Sequence, residues 1–314
     1  MTPNPSLDRA IMLDAPLETG AVQRAAGERQ DAGGKGINVS RALAAAGVDT
    51  VALFPAAASD PFIALVEESG VTAHALPVDG RVRSNITLVD PAGTTTKINL
   101  PGDASVAEAA DEVIAAIVQA SAAANWLVLA GSLPPGLGND FFARVTRTVR
   151  LRGGDDAPRI AVDTSGPPLT EALEAHPDLI KPNGEELAEL LGEDPGDDAE
   201  HPAVALERAR RLVPSRAAAA LVTLGARGAL YVDATTSLFA PAPKITVRST
   251  VGAGDSSLAG FLIPDAGTSA DRLVSAVAYG AAAASLPGTQ TPTPMDASMP
   301  VTVTDWTAGP PAGL

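Results

Sequence analysis

The chain has 314 residues, a formal net charge of −15 and a sequence pI of about 4.5. This acidity argues against nonspecific binding to nucleic acid or to an anionic membrane surface, because both partners are themselves negatively charged. The absence of cysteine excludes disulfides, thiolate metal sites and a cysteine nucleophile.

Short apolar runs alternate along the chain with alanine-rich stretches that have helical spacing. Runs of this kind, bounded by turn signals, are typical of buried parallel strands. The order predicts an α/β fold with a mainly parallel central sheet and functional loops at the carboxyl ends of its strands. Strands are predicted at 50–55, 126–130, 159–163 and 220–224, and helices at 183–191 and 201–212.

The first motif, NPSLD at residues 4–8, closes a short apparent strand and ends on a carboxylate. Asp8 stands where it can accept hydrogen bonds from two sugar hydroxyls, although a lone aspartate at such a place is more often a turn former.

Two segments, 7–31 and 84–100, break the strand and helix rhythm. In the second, apolar and polar residues alternate around a Pro-Ala-Gly turn. We interpret both segments as strands of a small, partly exposed antiparallel sheet beside the main domain, with a plain surface hairpin as the alternative. Arg83 precedes the second segment and can form a bidentate bond to phosphate, although an isolated surface arginine is the ordinary alternative.

A glycine-rich turn at residues 31–41 leads directly into a helical stretch. Its glycines let the backbone approach a ligand closely, Lys35 supplies a point charge, and Asn38 offers a donor and an acceptor. A phosphorylated sugar needs this mixture. The structural alternative is a helix-initiating turn with an exposed lysine.

The strongest local signal is the motif TVGAGDS at residues 250–256, followed by an apolar helical run. Glycines before a helix let backbone N–H groups converge on an anion, and the helix dipole adds positive potential. Asp255 can accept the proton of an attacking hydroxyl while these groups stabilise a transferred phosphoryl group; capping of the helix is the alternative role. The motif is neither a Walker A loop nor a good dinucleotide fingerprint. Residues 263–267 are expected to cut the helix after Asp255 short.

Five motifs occur in one order: GGKGINVSRALAAAG, GSLPPG, KPNGEE, TLGARG and STVGAGDSSLAGF. Together they resemble the ribokinase-like (PfkB) sugar kinases, most closely the 1-phosphofructokinase branch and next the tagatose 6-phosphate kinase branch. The resemblance covers nearly the whole chain. It implies a single three-layer αβα domain over residues 1–314, with a small β-sheet lid formed by about 7–31 and 84–100. It also implies transfer of the γ-phosphoryl group of ATP, handled with Mg²⁺, to a sugar hydroxyl.

The resemblance also implies roles for individual residues. Asp255 matches the family's base, and Gly252, Ala253 and Gly254 match its anion hole. The sugar-binding set is matched by Asp8, Gly33, Gly34, Lys35 and Asn38, with Arg83 and Arg24 near the substrate phosphate and Ser132 lining the same site. The ATP-contacting positions are matched by Lys181, Asn183, Thr223, Gly225 and Gly228. Asn183 and Glu186 form the NxxE spacing tied to magnesium and phosphate handling, although a capped helix with glutamates in its first turn explains them equally well.

The overall match and Lys35 suggest fructose 1-phosphate as substrate, with the C6 hydroxyl as attacking group and fructose 1,6-bisphosphate as product. Lys35 does not separate this sugar from tagatose 6-phosphate, and a fructose 6-phosphate kinase also stays open.

A catalytically silent binding or regulatory homologue is the alternative of another class. Its only support is the early start, since relatives usually have several strand residues before MTPNPSLD, and the shortened helix after Asp255. Lys35 and Arg83 argue against a nucleoside or plain sugar kinase.

The predicted partners are a small phosphosugar and ATP. A sheet with one exposed face tends to pair, so a homodimer through segments 7–31 and 84–100 is expected. No signal peptide opens the sequence and no apolar run reaches about 18 residues, so a cytoplasmic location is expected.

Overall fold

The structure, a computed structural model, describes residues 1–263 and 267–311. The strands in these ranges are β1 (Ser6–Leu13), β2 (Ala25–Gly33), β3 (Val51–Ala56), β4 (Thr72–Pro77), β5 (Arg83–Val89), β6 (Thr95–Asn99), β7 (Trp126–Ala130), β8 (Arg159–Asp163), β9 (Leu179–Ile180), β10 (Ala219–Thr223), β11 (Ala229–Asp233), β12 (Ser237–Ala240) and β13 (Thr304–Asp305). The α-helices are α1 (Lys35–Ala45), α2 (Phe62–Glu68), α3 (Ser105–Glu108), α4 (Ala110–Ser121), α5 (Phe141–Gly153), α6 (Pro167–Ala172), α7 (Gly184–Leu190), α8 (Pro202–Leu212), α9 (Ala253–Leu262) and α10 (Ser269–Ser285).

The central sheet has seven strands in the order β13-β12-β11-β10-β9-β8-β7. Strands β7 to β10 are parallel to one another, and β11, β12 and β13 continue the sheet in antiparallel pairs. The predicted strands 126–130 and 159–163 coincide with β7 and β8, and those at 50–55 and 220–224 differ from β3 and β10 by one residue at each end. Apolar runs bounded by turns therefore located the parallel part of the sheet.

Helices cover both faces of this sheet. Ile160 and Val162 of β8 pack in a core cluster with residues of α4, α5, α6 and α8. Ala161, which lies between them in the strand, packs in a second cluster with residues of α1, α9 and α10. Since successive side chains of a strand point to opposite faces, the sheet is buried on both sides. The three-layer αβα arrangement is confirmed.

A second sheet has four strands in the order β2-β1-β5-β6 and is called the small sheet below. The two hairpin pairs, β1–β2 and β5–β6, are antiparallel as expected, but β1 and β5 are parallel. The expectation of a wholly antiparallel sheet was wrong on this pair. A parallel pair needs a long crossover connection, which the intervening β3–α2–β4 unit provides.

The carboxyl-terminal part of the chain contributes to the central sheet and to the core. Strand β13 extends the edge of the central sheet, and the next residue, Trp306, is 1% exposed. Helix α9 ends at Leu262, and residues 264–266, part of the segment expected to shorten it, lie outside the described residues. Among the described residues, no helix combines the length and the apolar character needed to cross a membrane.

Candidate active site

The carboxyl ends of the parallel strands meet the first turns of α1 and α9. Asp163 ends β8, Lys181 follows β9, and Thr223 ends β10. Lys35 is the first residue of α1, and Asp255 lies in the first turn of α9. This edge is where open parallel sheets bind ligands, because the connecting loops diverge there.

Asp255 is 7% exposed and accepts a hydrogen bond from the amide of Asn38, with 2.8 Å between Nδ2 and Oδ2. Burial, followed by the neighbouring charge of Asp163, raises the pKa of Asp255 to about 6, against the opposing effects of Asn38 and two lysines. The residue that precedes α9 is Gly252, and no side chain of the described residues caps α9. Asp255 is therefore not a capping residue, and its carboxylate is left for the cleft.

A buried charge cluster lies beside Asp255. Asp163 has no exposed side-chain surface, and its Oδ1 pairs with the ammonium groups of Lys35 at 2.9 Å and Lys181 at 3.3 Å. Burial lowers the pKa of Lys35, but the charge and hydrogen bond of Asp163 outweigh it, so the pKa is raised and Lys35 stays a cation. We call Asp163, Lys35, Lys181, Asn38 and Asp255 the floor cluster. In this cluster, Asp163 holds the two lysines beside the carboxylate of Asp255, which can accept a proton.

The residues of the predicted anion hole lie at the start of α9. Gly252 has φ +77°, which favours glycine, and it turns the backbone into the helix. The N–H of Ala253 donates to the carbonyl of Thr250 at 3.3 Å, whereas among the described residues no partner lies against the N–H groups of Gly254 and Asp255. A Cβ at Gly254 would lie 3.2 Å from Nζ of Lys181. The first turn of α9 therefore lies close to the ammonium group of Lys181.

The predicted sugar-binding residues lie where the small sheet meets α1. Oδ1 of Asp8 accepts from Ser6 Oγ at 2.7 Å and from Asn85 Nδ2 at 3.0 Å, and burial raises the pKa of Asp8. A Cβ on Gly33 would approach Oδ2 of Asp8 to 2.2 Å, so a side chain at Gly33 would displace this carboxylate. Arg83 donates to the carbonyl of Leu100 at 2.8 Å.

The glycine that starts α1 and the lysine after it serve different needs. Gly34 has φ +132°, and a Cβ there would lie 2.6 Å from Cγ2 of Thr2. Lys35 follows at once and reaches across to Asp163 instead of standing free. The sequence indicated a cation for the substrate at Lys35, but it did not indicate the contact of Lys35 with Asp163.

The predicted nucleotide residues lie on the neighbouring strands. Asn183 and Thr223 form a β-bridge, which places the KPN and TLGARG motifs side by side. Asn183 caps α7: its Oδ1 accepts from the N–H of Glu186 at 2.7 Å, and the Glu186 carboxylate accepts from the N–H of Asn183 at 2.9 Å. The capped-helix interpretation of this pair is confirmed.

The glycines of TLGARG have local structural reasons as well. Gly228 has φ +113°, and a Cβ there would lie 2.0 Å from the carbonyl oxygen of Ala240. Gly225 has φ +52°. Both residues shape the turn between β10 and β11.

Two predicted residues stand apart from the floor cluster. Ser132 is exposed, and its hydroxyl accepts from Nδ2 of Asn4 at 3.4 Å. Arg24 is exposed and lies just before β2, on the small sheet.

Sequence reasoning missed Asp163 and Asn85. Asp163 had a usable signal, since it is a carboxylate at the end of a predicted parallel strand, where site residues of such sheets concentrate. Asn85 had none, because its contact with Asp8 depends on the parallel pairing of β1 with β5. As a whole, the site combines a buried carboxylate, the start of a helix and fixed cations, which are the kinds of group that phosphoryl transfer needs.

Comparison with known proteins gives concordant matches. A family model described as pfkB family carbohydrate kinase matches residues 1–296. The 1-phosphofructokinase of Xanthomonas campestris pv. campestris is 38% identical over 272 residues, covering 83% of this chain and 81% of that protein. The 1-phosphofructokinase of Rhodobacter capsulatus is 35% identical over 264 residues, covering 82% and 80%. Among solved structures, phosphofructokinase-2 from Escherichia coli in complex with potassium has a TM-score of 0.85 at 28% identity, covering 94% of this chain and 95% of that one.

Proposed function

The chain belongs to the pfkB family of carbohydrate kinases, and we propose that it transfers the γ-phosphoryl group of ATP to the C6 hydroxyl of fructose 1-phosphate. The observation that carries the proposal is the position of Asp255, a buried carboxylate in the first turn of α9. It lies beside two lysines and beside backbone N–H groups that have no partner in the described part of the chain. The names of the similar 1-phosphofructokinases support the choice of sugar.

Asp255 acts as the general base. A pKa of about 6 leaves the carboxylate mostly ionised at neutral pH while keeping its basicity close to the working range. The hydrogen bond from Asn38 fixes the carboxylate, so that it can accept the proton of the sugar hydroxyl as that oxygen attacks phosphorus.

The start of α9 and the lysines stabilise the transferred group. The N–H groups of Gly254 and Asp255 are oriented before the reaction, so they can donate to phosphoryl oxygens without reorganisation. Asp163 holds Lys35 and Lys181 at the same edge, and the charge of Lys181 offsets the negative charge of the nucleotide.

Mg²⁺ enters the proposal as a companion of ATP. Among the described residues, no group of three or more acidic or histidine side chains is placed to hold a metal by itself. This fits an ion bound chiefly by phosphate oxygens and water, the usual mode for Mg²⁺ in kinases. Among the described residues, the buried Oδ2 of Asp163 has no hydrogen-bond partner, so Asp163 is the residue that fits such an ion. Glu186, in the first turn of α7, is the second residue that would hold it. The ion would offset phosphate charge.

The sugar is placed by the small sheet and α1. Asp8, held by Ser6 and Asn85, accepts from sugar hydroxyls, and Arg83 with Lys35 provides positive charge for the substrate phosphate. We further propose that the small sheet acts as a lid over the sugar and pairs with a second copy of the chain. Its support is the exposed surface of β6, where Ile98 is 48% exposed.

The deciding experiment is a coupled assay of ADP release with Mg·ATP and a panel of fructose 1-phosphate, fructose 6-phosphate, tagatose 6-phosphate, fructose and ribose, ranked by kcat/KM. We expect fructose 1-phosphate to rank first. Preference for another phosphosugar would keep the mechanism and change the substrate, whereas turnover with none of the five would favour a silent binding homologue.

A further inference from the structure

One face of the small sheet carries polar side chains from both β1 and β5. The two strands are parallel and in register, with Ser6 beside Arg83 and Asp8 beside Asn85. Alternate residues of a strand point to the same face, so these four side chains share one face. Gly33, which pairs with Ser6 and lies two residues before the start of α1, belongs to the same row. The polar face is therefore the one that meets α1.

The carboxylate of Asp8 has one oxygen that is occupied and one that is left for a ligand. Ser6 at 2.7 Å and Asn85 at 3.0 Å both donate to Oδ1. Within the described ranges, no hydrogen bond reaches Oδ2, the oxygen nearest to a Cβ built on Gly33. Because an ionised carboxylate only accepts, the amide of Asn85 has to present Nδ2 to it. The contact thus fixes which end of the Asn85 amide points away from Asp8.

The other end of this amide is an acceptor without a donor. Oδ1 of Asn85 is buried and has no hydrogen-bond partner in the described part of the chain. The same holds for Nε of Arg83, two residues earlier on the strand, although Nη1 of Arg83 donates to the carbonyl of Leu100 at 2.8 Å. Buried polar groups are almost always paired, so each of these atoms needs an explanation. One is an acceptor and the other a donor, and they call for opposite partners.

The two atoms can distinguish a phosphate from a hydroxyl. The oxygens of an ionised phosphate accept hydrogen bonds, so they suit Nε of Arg83 and leave Oδ1 of Asn85 unsatisfied. A hydroxyl can donate to Oδ1. The carboxylate of Asp8, which contacts Asn85, also repels an anion at this place. A sugar that binds with its phosphate at Arg83 therefore needs a hydroxyl close to the carbon that bears the phosphate.

The furanose forms of the candidate substrates differ at this point. In fructose 1-phosphate, the carbon next to the phosphate-bearing one is C2, which carries the anomeric hydroxyl. In fructose 6-phosphate and tagatose 6-phosphate, the corresponding carbon is C5, whose oxygen closes the ring and has no hydrogen to donate. A buried acceptor that is left without its donor discriminates strongly against the wrong substrate.

We propose, on the basis of the proposed function, that Oδ1 of Asn85 accepts a hydrogen bond from the anomeric hydroxyl of fructose 1-phosphate and thereby selects this sugar over the two 6-phosphates. Asn85 then has two tasks, since Nδ2 holds Asp8 and Oδ1 contacts the substrate. Strand β5 belongs to the sheet proposed as a lid, so Oδ1 comes within reach of the sugar as the sheet opens and closes over it.

Three substrates and three enzymes test the proposal by their kcat/KM at saturating Mg·ATP. The substrates are fructose 1-phosphate, fructose 6-phosphate and 2,5-anhydro-D-mannitol 1-phosphate, which keeps the ring, the phosphate and the attacking hydroxyl but lacks the anomeric hydroxyl. The enzymes are the unaltered chain, Asn85→Leu and Ser6→Ala. Ser6→Ala is the matched control, because it removes the other donor to Oδ1 of Asp8 and leaves Asn85 in place. Melting temperatures check that the variants fold.

The unaltered enzyme should lose about tenfold or more in kcat/KM when the anhydro analogue replaces fructose 1-phosphate. Asn85→Leu should remove most of this difference, and with it the preference over fructose 6-phosphate, because its loss with fructose 1-phosphate is about tenfold larger than with the analogue. Ser6→Ala should lower kcat/KM for both substrates by the same factor.

The inference is overturned if the unaltered enzyme turns over the analogue as well as fructose 1-phosphate, a result that requires no variant to fold. Equal losses with both substrates in Asn85→Leu would also overturn it and would show that Asn85 only positions Asp8. A Ser6→Ala enzyme that loses the preference as fully as Asn85→Leu would assign the contact to Asp8 instead.

Failure of the proposed function would give a different result. Preference of the unaltered enzyme for fructose 6-phosphate, or turnover of no phosphosugar, would overturn the choice of sugar together with this inference. Preference for fructose 1-phosphate that is unchanged in a folded Asn85→Leu enzyme would keep the function and overturn the inference alone.

Discussion

The floor cluster and the small sheet hold their polar groups in different ways. In the floor cluster, the side chains of Asp163 and Lys181 are 0% and 6% exposed, and each charge has a partner fixed by a strand end or a helix start. In the small sheet, the Arg9–Glu28 pair is 36% and 37% exposed, and every residue of β6 is exposed. Exposed ion pairs contribute little to stability, whereas a buried cluster keeps its geometry because any unpaired charge there is costly.

The difference separates two tasks. A preorganised floor suits groups that must act on the transferred phosphoryl group, since orientation fixed in advance lowers the barrier. A lightly packed sheet suits groups that admit and release a substrate or meet a second subunit. Substitutions in the floor cluster should therefore lower kcat, and substitutions in the small sheet should raise KM or change assembly.

The largest effect is expected for Asp255→Asn. The amide keeps the size of the side chain but cannot accept the proton, so kcat should fall by about 10²- to 10⁴-fold, the usual contribution of a general base. Binding of the sugar, measured by calorimetry, should change little. For the unaltered enzyme, the pKa of about 6 predicts that kcat/KM falls as pH drops through 6, because protonation removes the base.

A variant with Ser256→Ala is a suitable neighbouring control, since it alters the same turn without touching the carboxylate. Unchanged turnover in Asp255→Asn would show that this residue is not the base. It would also contradict the expectation that substitutions in the floor cluster lower kcat.

Asp163→Asn is expected to have the second largest effect. Loss of the carboxylate releases Lys35 and Lys181, and misplacement of such groups lowers kcat/KM by about 10²-fold. Because the charge of Asp163 raises the pKa of Asp255, its removal should move the acid limb of the pH profile to lower pH. Leaving Lys181 buried without its partner should also cost about 3–5 kcal/mol of unfolding free energy.

Asp178→Asn is the matched control, because Asp178 pairs with Arg150 away from the floor cluster. It should lower stability without moving the acid limb. An acid limb that stays in place in Asp163→Asn would show that Asp163 has a structural role only.

The sequence foretold these regions to different degrees. The local pattern TVGAGDS was enough to indicate a base and an anion-binding helix start, because all of its parts lie within one turn of chain. Asp163 was missed because its significance depends on Lys35 and Lys181, which come from distant segments and meet only when α1, β8 and β9 are assembled. The small sheet was foreseen from alternating residues, but its parallel β1–β5 pair depends on the path of the intervening chain.

In the small sheet, a smaller effect is expected for Asp8→Ala. Asp8 lies on β1 and is proposed to accept hydrogen bonds from sugar hydroxyls. Its loss should raise the KM for the sugar by about tenfold or more, because a hydrogen bond to a charged group contributes about 1.5–3 kcal/mol. The change in kcat should be smaller. Steady-state kinetics with varied sugar at saturating ATP separate the two constants. Asp90→Asn, in the β5–β6 turn, is the control on the same sheet. A fall in kcat alone would place Asp8 with the floor cluster instead.

The smallest effect on catalysis, and the largest on assembly, is expected for Ile98→Glu. Ile98 lies on β6 and is 48% exposed, and a charge there should oppose burial of the sheet face against a second copy. Light scattering at micromolar concentration should show a dimer for the unaltered chain and a shift toward monomer for this variant. Leu151→Glu is the matched control, because Leu151 is 82% exposed on α5 and lies outside the small sheet. A monomeric unaltered chain would contradict pairing through the sheet. A dimer that both variants retain would place the interface outside the small sheet. The proposed role of the small sheet as a lid over the sugar would then be the one left to explain the exposed face of β6.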